Sequence, residues 1–426
     1  MENKIKGFMS SPTIRVVSGL AGGNLLGTIL GVIGSLVQAR YVSPEDMGYF
    51  RGFSIATGYA FFLHLGILDA FQRYYPLYIG RGEKDRAIAI AEVCQVWNAG
   101  VTSIVAGTFF VLAAFSLADG NWRAALGWLV QSVAMTGFIY GGFLGATYRS
   151  GHDFASLAKS SILSSITGLF TLPFFLFWPY VALAVRSCAG SLVSLAYLHK
   201  RRPLQLDWRF TWREWFRLIS GGLPIFIASY GAATGWSVVE TSIILKFLGA
   251  KSLGLWAISF MVLEAANKVP QAMVAVYVPR VIQTLGRTGN VTETLRVCKK
   301  PLFWGIPLMI LMVGSACTLL PFITPVIMPK YTEAVPTMCL MLLILPIILI
   351  DMPYTVLVAQ GRVVQQNIAV YAGLTTFAIF AMSAVRWGWG LNGVVGASLM
   401  GRIARTILVY FFVLHECRRE NHKEVR

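Results

Sequence analysis

Charged side chains are scarce in this sequence, and acidic ones are the scarcest. Only 13% of the 426 residues are Asp, Glu, Lys or Arg, whereas 56% are hydrophobic, and the mean hydropathy is +0.64. About a quarter of the residues in an ordinary soluble domain are charged. The composition therefore excludes a soluble globular fold. The charge that remains is mostly positive, because 36 basic residues stand against 19 acidic ones.

Motifs for disulfides, metals and nucleotide hydrolysis are also missing. The six cysteines show no CxxC spacing, so we expect neither a disulfide framework nor a metal site. No GxxxxGK[ST] phosphate-binding loop occurs, and "GAKS" at Gly249 is too short to be one. The chain is thus predicted to need no cofactor and to use no ATP directly.

Apolar runs long enough to cross a bilayer fill most of the chain. A membrane-spanning helix needs about 20 mostly apolar residues. Twelve such runs are present, whereas barrel strands would give segments of about ten residues that alternate in polarity. The predicted spans are 16–39, 48–72, 88–117, 122–147, 156–178, 180–199, 218–246, 253–279, 301–326, 336–359, 366–386 and 390–414. The predicted fold is an all-α polytopic membrane protein with about 12 transmembrane helices.

Basic residues concentrate in alternate loops, which argues for a membrane orientation rather than for nucleic-acid binding. By the positive-inside rule these loops face the cytoplasm, as do both termini. The opposite loops hold only Arg40, Arg123, Lys246, Lys251, Lys330 and Arg386.

An internal repeat predicts two pseudo-symmetric six-helix halves. The stretch "ARYVSPEDMGYFRGF" aligns with "LKFLGAKSLGLWAIS", which pairs Gly48 with Gly254 at an offset of 206 residues. The predicted halves are 1–199 and 218–426, joined by a linker at 200–217. Because each half holds an even number of helices, we expect them to be parallel and related by an axis along the membrane normal.

The linker interleaves basic residues with Trp208, Trp212 and Trp215 on the predicted cytoplasmic side. That composition suits a segment in the lipid headgroup layer. An orientation signal combined with an ordinary aromatic belt explains it equally well, and the sequence leaves both interpretations open.

Twelve helices without a catalytic domain predict a transporter and not an enzyme, with the substrate site near mid-depth between the halves. Glu264 and Lys268 lie near the centre of the apolar run "MVLEAANKVPQAMVAVYVPR", beside Asn267. Charge at that depth costs about 2.5–3.5 kcal/mol per residue on insertion scales. We expect Lys268 to bind an anionic headgroup, with Glu264 neutralising it in the empty site. A self-neutralised structural pair is the alternative.

Other charges lie within predicted spans, and cations outnumber carboxylates among them. The predicted substrate-binding residues are Arg51, Arg186, Asn267, Lys268, Arg402 and Arg405, and the predicted ion-coupling residues are Glu240, Glu264 and Asp351. Several arginines around one cavity would attract phosphate, which guanidinium groups bind bidentately. Snorkelling to an interface remains open for Arg51 and Arg405, and a hydrogen-bonded structural carboxyl remains open for Asp351.

The order "LVQARYVSPEDMGYF…HLGILDAFQRYYP" resembles the first two spans of bacterial polysaccharide flippases. These O-antigen and capsule repeat-unit translocators belong to the multidrug/oligosaccharidyl-lipid/polysaccharide exporter superfamily. The resemblance rests on the turn Pro44–Gly48, on Leu65-Gly66, on "RYYP" at 73–76 and on the two six-helix halves.

The resemblance implies a substrate, a location and partners. The substrate is an undecaprenyl-pyrophosphate-linked oligosaccharide, flipped across the bacterial cytoplasmic (inner) membrane by alternating access through a cationic cavity. Such transport serves lipopolysaccharide, O-antigen or exopolysaccharide biosynthesis. The implied partners are the lipid-linked oligosaccharide, membrane lipids and a glycan polymerase complex, and nucleic acid is not among them.

Three other classes compete with this interpretation. An ion-coupled drug or cation exporter of the same superfamily shares twelve helices and two halves, but we expect it to favour acidic intramembrane residues over basic ones. A membrane glycan polymerase or ligase resembles a multi-span protein with a large external loop, and every external loop predicted here is short. A non-transporting scaffold would leave the buried charges without a use.

Overall fold

The computed structural model describes residues 27, 30–151 and 153–424. Within these ranges the chain is almost entirely helical and contains no β-strand, which confirms the predicted all-α class. The helices are α1 (30–41), α2 (Pro44–Ala60), α3 (Ile67–Gly80), α4 (Lys84–Ala118), α5 (Trp122–Ser150), α6 (Phe154–Phe177), α7 (Pro179–Lys200), α8 (Trp212–Ala266), α9 (Lys268–Thr288), α10 (Val291–Ile327), α11 (Pro329–Ile350), α12 (Tyr354–Ala359), α13 (Val363–Arg386) and α14 (Gly390–Glu424).

Nine helices of the described ranges are long and apolar enough to cross a membrane, and a tenth span is added if α2 and α3 count as one bent segment. Together they establish a multi-pass membrane protein. The bend of 44° between α2 and α3 falls at Leu65 and Gly66, which both have left-handed backbone conformations. The predicted first span, 16–39, lies largely outside the described residues.

Helix α8 accounts for a second departure from the predicted spans. At 55 residues it would be about 80 Å long if straight, well beyond the hydrocarbon thickness of about 30 Å. Its backbone leaves helical geometry at Gly249, where φ is 82° and ψ is 179°. Only glycine adopts that conformation readily. The predicted spans 218–246 and 253–279 therefore meet at a glycine break within one element.

The predicted eighth span is itself discontinuous. Helix α8 ends at Ala266, Asn267 forms a turn, and α9 begins at Lys268. Pro270 lies in the first turn of α9, where its missing N–H costs no hydrogen bond. Proline also clashes with the carbonyl four residues earlier, here that of Ala266. The predicted span 253–279 is therefore interrupted between Glu264 and Lys268, next to Pro270.

Backbone contacts divide the chain into two compact units. The first unit comprises the described residues up to Val42 together with Ala56–Phe226, and the second comprises Ser43–Ile55 together with the chain from Ile227 onward. In the first unit, α3, α4 and α5 enclose a core that includes Phe71, Ile90 and Tyr148. The predicted half boundaries at 199 and 218 stay a prediction.

A reciprocal backbone contact lies inside the second unit. A Cβ on Gly48 of α2 would come within 2.6 Å of the carbonyl carbon of Ala250, and a Cβ on Gly254 of α8 would come within 2.7 Å of that of Pro44. These four positions are the ones that the internal repeat pairs, Pro44 with Ala250 and Gly48 with Gly254. Equivalent positions contact each other reciprocally in this way around a twofold axis.

We predict that Gly48→Ala or Gly254→Ala lowers the free energy of unfolding by about 1–3 kcal/mol, because a methyl group would overlap backbone that has no room to move. Thermal unfolding of the purified protein in detergent measures this. Gly314→Ala in α10, where a Cβ meets no atom within 4 Å, serves as the control and should be neutral or slightly stabilising. Equal stability of all three variants would contradict the close approach.

Candidate functional site

The second unit holds a polar network centred on α14. Ser398, Arg402, Arg405 and Thr406 recur at three- and four-residue spacing, so they project from one side of this helix. Ser398 is fully buried, and Thr406 is 7% exposed. This face meets α8, the turn after α11, and α13.

Glu240 lies at the α8 end of the network. Its carboxyl group is buried and accepts hydrogen bonds from the Trp256 indole N–H at 3.2 Å and from the Ser398 hydroxyl at 3.4 Å. The Ser398 hydroxyl in turn accepts a bond from the Trp236 indole N–H at 2.9 Å. The carboxylate is thus held by neutral donors and takes part in no salt bridge with a described residue.

Arg402 lies beside this carboxylate without bonding to it. Its guanidinium carbon is 4.9 Å from the centre of the Trp236 ring, a cation–π contact, and Glu240 attracts the guanidinium electrostatically. Its Nε is buried without a hydrogen-bond partner, and the guanidinium makes no hydrogen bond or salt bridge with the described residues. The side chain is half-buried overall, and Nη1 and Nη2 are not among its buried atoms, so the donors of these two nitrogens remain available to a ligand.

Arg405, one turn further along α14, is paired. Its Nη2 lies 2.8 Å from Oδ2 of Asp351, and the two side chains are only 14% and 17% exposed. The Thr406 hydroxyl donates to Oδ1 of Asp351 at 3.3 Å, and the guanidinium lies 4.9 Å from the centre of the Tyr354 ring. Asp351 therefore has partners on other elements, although its own helix supplies none. This favours a hydrogen-bonded structural carboxyl over an ion-coupling site.

Two glycines let α13 and α14 approach closely enough to build the network. A Cβ on Gly373 would lie 2.8 Å from Cβ of Arg405, and a Cβ on Gly401 would lie 2.9 Å from the Trp236 ring. Trp236 also stacks on Phe377 of α13, with ring centroids 5.5 Å apart. Small residues at such contacts are typical of membrane helix packing.

Glu264, Asn267 and Lys268 flank the break between α8 and α9. Glu264 is half-buried, Lys268 is exposed, and they form no salt bridge with each other or with another described residue. The self-neutralised structural pair, which the sequence left as the alternative, is therefore not formed between these two described residues. Oδ1 of Asn267 is buried without a hydrogen-bond partner, so the break leaves both a cation and a polar acceptor free.

Arg51 lies on α2, in the part of that helix that belongs to the second unit. Its side chain is exposed and makes no salt bridge with a described residue, while its backbone carbonyl accepts a hydrogen bond from the Ser54 hydroxyl at 2.6 Å. Arg51 thus has no counter-charge among the described residues, and both substrate binding and snorkelling stay open for it.

Arg186 belongs to the first unit and is fully engaged by protein oxygens. Its guanidinium donates to the carbonyl of Gly34, to Oε1 of Gln38 at 3.0 Å, and to the carbonyl of Gly31 at 3.3 Å. A Cβ on Gly34 would overlap this guanidinium, so the glycine makes the contact possible. These bonds hold α7 against α1 and leave Arg186 less free for a ligand than Arg402.

Sequence reasoning missed the neutral members of these networks. Trp236, Trp256 and Ser398 carry no charge, and nothing in the order of residues shows that they converge on Glu240. It also passed over a buried polar stripe on α4 in the first unit, formed by Glu92, Gln95, Asn98 and Thr102. Their three- and four-residue spacing was the available signal.

Solved structures with this architecture are known. An inward-facing multidrug resistance MATE family transporter of the MOP superfamily matches with a TM-score of 0.75 and 12% identity, over 92% of this chain and 95% of that chain. The lipid II flippase MurJ, in an inward closed conformation, matches with a TM-score of 0.70 and 17% identity, over 92% and 87%. An outward-facing MATE family transporter matches with a TM-score of 0.65 and 13% identity, over 96% and 97%.

No protein-family model and no curated protein matches the sequence. At identities of 17% or less, the structural similarity shows the fold. The chain is a polytopic helical membrane protein, and its fold is the one that MATE transporters of the MOP superfamily and the flippase MurJ share.

The Asp351–Arg405 pair gives a stability prediction. Asp351→Asn should lower the free energy of unfolding by about 3–5 kcal/mol, because it leaves a mostly buried guanidinium without its counter-charge. Thermal unfolding in detergent measures the loss. The double variant Asp351→Leu/Arg405→Met should recover most of it, since an apolar pair of similar size removes both charges.

The matched control is the Lys251–Glu333 pair of the same unit, which has a similar separation of 2.8 Å but side chains that are 49% and 66% exposed. Glu333→Gln should change stability little, because solvent screens an exposed pair. An equally large loss in Glu333→Gln would show that the burial of Asp351 is not the cause.

Proposed function

We propose that this protein is a flippase that moves undecaprenyl-pyrophosphate-linked oligosaccharide repeat units across the bacterial cytoplasmic membrane by alternating access. The exported units serve O-antigen, lipopolysaccharide or exopolysaccharide biosynthesis. The fold supports transport, since the structures it resembles are transporters and a flippase of a lipid-linked substrate. Transport by conformational change requires no catalytic group, so the protein is proposed not to be an enzyme.

The main support for an anionic substrate is that the guanidinium of Arg402 has unused hydrogen-bond donors. A half-buried guanidinium beside a tryptophan ring, with its donors unused, is suited to a bidentate contact with phosphate oxygens. The low dielectric constant around it strengthens that contact. Glu240 keeps the guanidinium partly neutralised when no substrate is bound.

The other predicted substrate-binding residues differ in whether their polar groups are already bonded to other protein atoms. Lys268 and Arg51 keep donors free, and Asn267 keeps its Oδ1 acceptor free, so these three residues are proposed to bind the pyrophosphate or the first sugar. Arg186 is bonded to α1 and Arg405 to Asp351, so these two are proposed to contribute long-range positive charge.

Ion coupling is assigned to the carboxylates of the second unit. Glu240 is bonded only to neutral donors, and Glu264 interacts electrostatically with Arg402 without forming a salt bridge with a described residue. Either carboxylate can therefore take up a proton or a small cation. Asp351 is proposed to act through Arg405. Because Glu240 and Arg402 are electrostatically linked, binding of a cation near Glu240 would change the attraction of Arg402 for an anion.

An ion-coupled drug exporter is the second candidate, and the similarity to MATE family transporters favours it. Such a protein would direct its carboxylates, rather than its guanidinium groups, at a cationic substrate. A membrane glycan polymerase or ligase has no support in the fold. Membrane lipids and a glycan polymerase complex are the proposed partners, with both termini in the cytoplasm.

The test uses a strain that lacks the protein and is complemented with variants. Arg402→Ala should cause intact undecaprenyl-pyrophosphate-linked oligosaccharide to accumulate and surface polysaccharide to fall at least tenfold. Arg402→Lys keeps the charge but loses the bidentate fork, so it should restore export only in part. Mass spectrometry of extracted lipids and immunoblotting of surface glycan give the two readouts.

Arg386→Ala, at the exposed end of α13, is the matched control and should restore export fully at equal protein level in the membrane. Full export by Arg402→Ala would remove the main support for an anionic substrate. Unchanged glycan together with increased sensitivity of the deletion strain to cationic drugs would establish the exporter instead.

A further inference from the structure

We propose that the segment from Lys200 to Phe216 is a binding surface for anionic phospholipid headgroups. The proposal concerns a surface of the first unit and does not depend on which substrate is transported. It answers the question that the sequence left open about the basic and aromatic residues of the linker.

The position of the segment places it at the bilayer surface. Helix α7 ends at Lys200 and α8 begins at Trp212, and both are long and apolar enough to span a membrane. Residues 201–211 between them form no helix. A short connection between two membrane-spanning helices has to lie where they leave the hydrocarbon, at the level of the headgroups.

One side of the segment is fixed to the protein. Leu204, Leu206 and Phe210 pack against the core formed by α3, α4 and α5. The Trp215 ring packs on Trp97 of α4, with ring centroids 5.1 Å apart. The segment is therefore held in one orientation by the first unit, rather than by the lipid.

The other side exposes large aromatic rings. Trp208, Trp212 and Phe216 are 66%, 64% and 61% exposed. Trp212 and Phe216 lie on one face of α8, with ring centroids 6.3 Å apart. Exposed tryptophans held at the end of a membrane-spanning helix are typical of the interface between headgroups and acyl chains.

The charge of the segment selects the kind of lipid. Asp207 pairs with Arg209 at 3.0 Å, and Glu214 pairs with Arg217 at 2.6 Å. The cations that remain without a carboxylate partner among the described residues are Lys200, Arg201, Arg202 and Arg213. Each cation near an anionic leaflet raises the affinity for it about fivefold. Anionic headgroups supply the missing negative charge, which zwitterionic ones do not.

The first experiment compares lipids bound to the full-length protein. Native mass spectrometry after exchange into mixed micelles should show phosphatidylglycerol retained in preference to phosphatidylcholine. The double variant Arg201→Gln/Arg213→Gln should reduce that preference about 25-fold, as expected from fivefold for each cation. Both side chains are exposed, so the variant is expected to fold.

The control removes the same charge elsewhere. Arg287, at the end of α9, and Arg296, near the start of α10, are also exposed. Arg287→Gln/Arg296→Gln should change the preference less than twofold. An equal loss in both double variants would assign the preference to the net charge of the protein and overturn the proposed surface. Equal retention of the two lipids by the wild type would overturn it as well.

The second experiment locates the aromatic rings. Phosphatidylglycerol brominated near the headgroup should quench tryptophan fluorescence more than brominated phosphatidylcholine does. This difference should disappear in Trp208→Phe/Trp212→Phe and persist in the control Trp387→Phe/Trp389→Phe, whose indoles are equally exposed. Quenching of Trp208 and Trp212 by aqueous iodide, and not by either lipid, would show a surface for a soluble partner and refute lipid binding.

Discussion

The need to neutralise guanidinium groups away from water shapes the second unit more than any other interaction. Arg405 is held by Asp351, and Arg402 lies on Trp236 beside Glu240. These contacts reach from α14 to α8 and to the turn after α11, and the stacking of Trp236 on Phe377 extends them to α13. In a medium where an unpaired charge costs several kcal/mol, the arrangement of these helices and the positions of the charges determine each other.

Arg402 and Arg405 lie one turn apart on α14, but their contacts differ and allow them different roles. Arg405 is engaged by a carboxylate and a tyrosine ring, whereas Arg402 has a ring beneath it and unused donors. Stability accounts for the first arrangement. The second leaves binding capacity unused, which a protein tolerates at a site that accepts a ligand. The proposed flippase function depends on this difference. Arg186 in the first unit resembles Arg405 in being bonded, in its case to backbone carbonyls.

The sequence predicted the helical class, most spans and the list of intramembrane charges, because hydropathy and charge are local properties that the bilayer selects directly. It also paired Gly48 with Gly254 through the internal repeat, and the structure places both at one reciprocal contact. It placed Glu264 and Lys268 in one predicted span, whereas in the structure α8 ends at Ala266 and α9 begins at Lys268. Pro270 is the local signal for that interruption, since its ring clashes with the carbonyl of Ala266.

The sequence by itself determined that this chain crosses a membrane many times as helices and carries more cations than carboxylates within its spans. Only the tertiary structure decided which charged groups are paired or hydrogen-bonded, because these contacts join residues as distant as Glu240 and Ser398, or Asp351 and Arg405. Side-chain spacing along one helix specifies a face, but not what lies opposite it. The partner depends on how closely helices approach, and here glycines such as Gly373 and Gly401 set that distance.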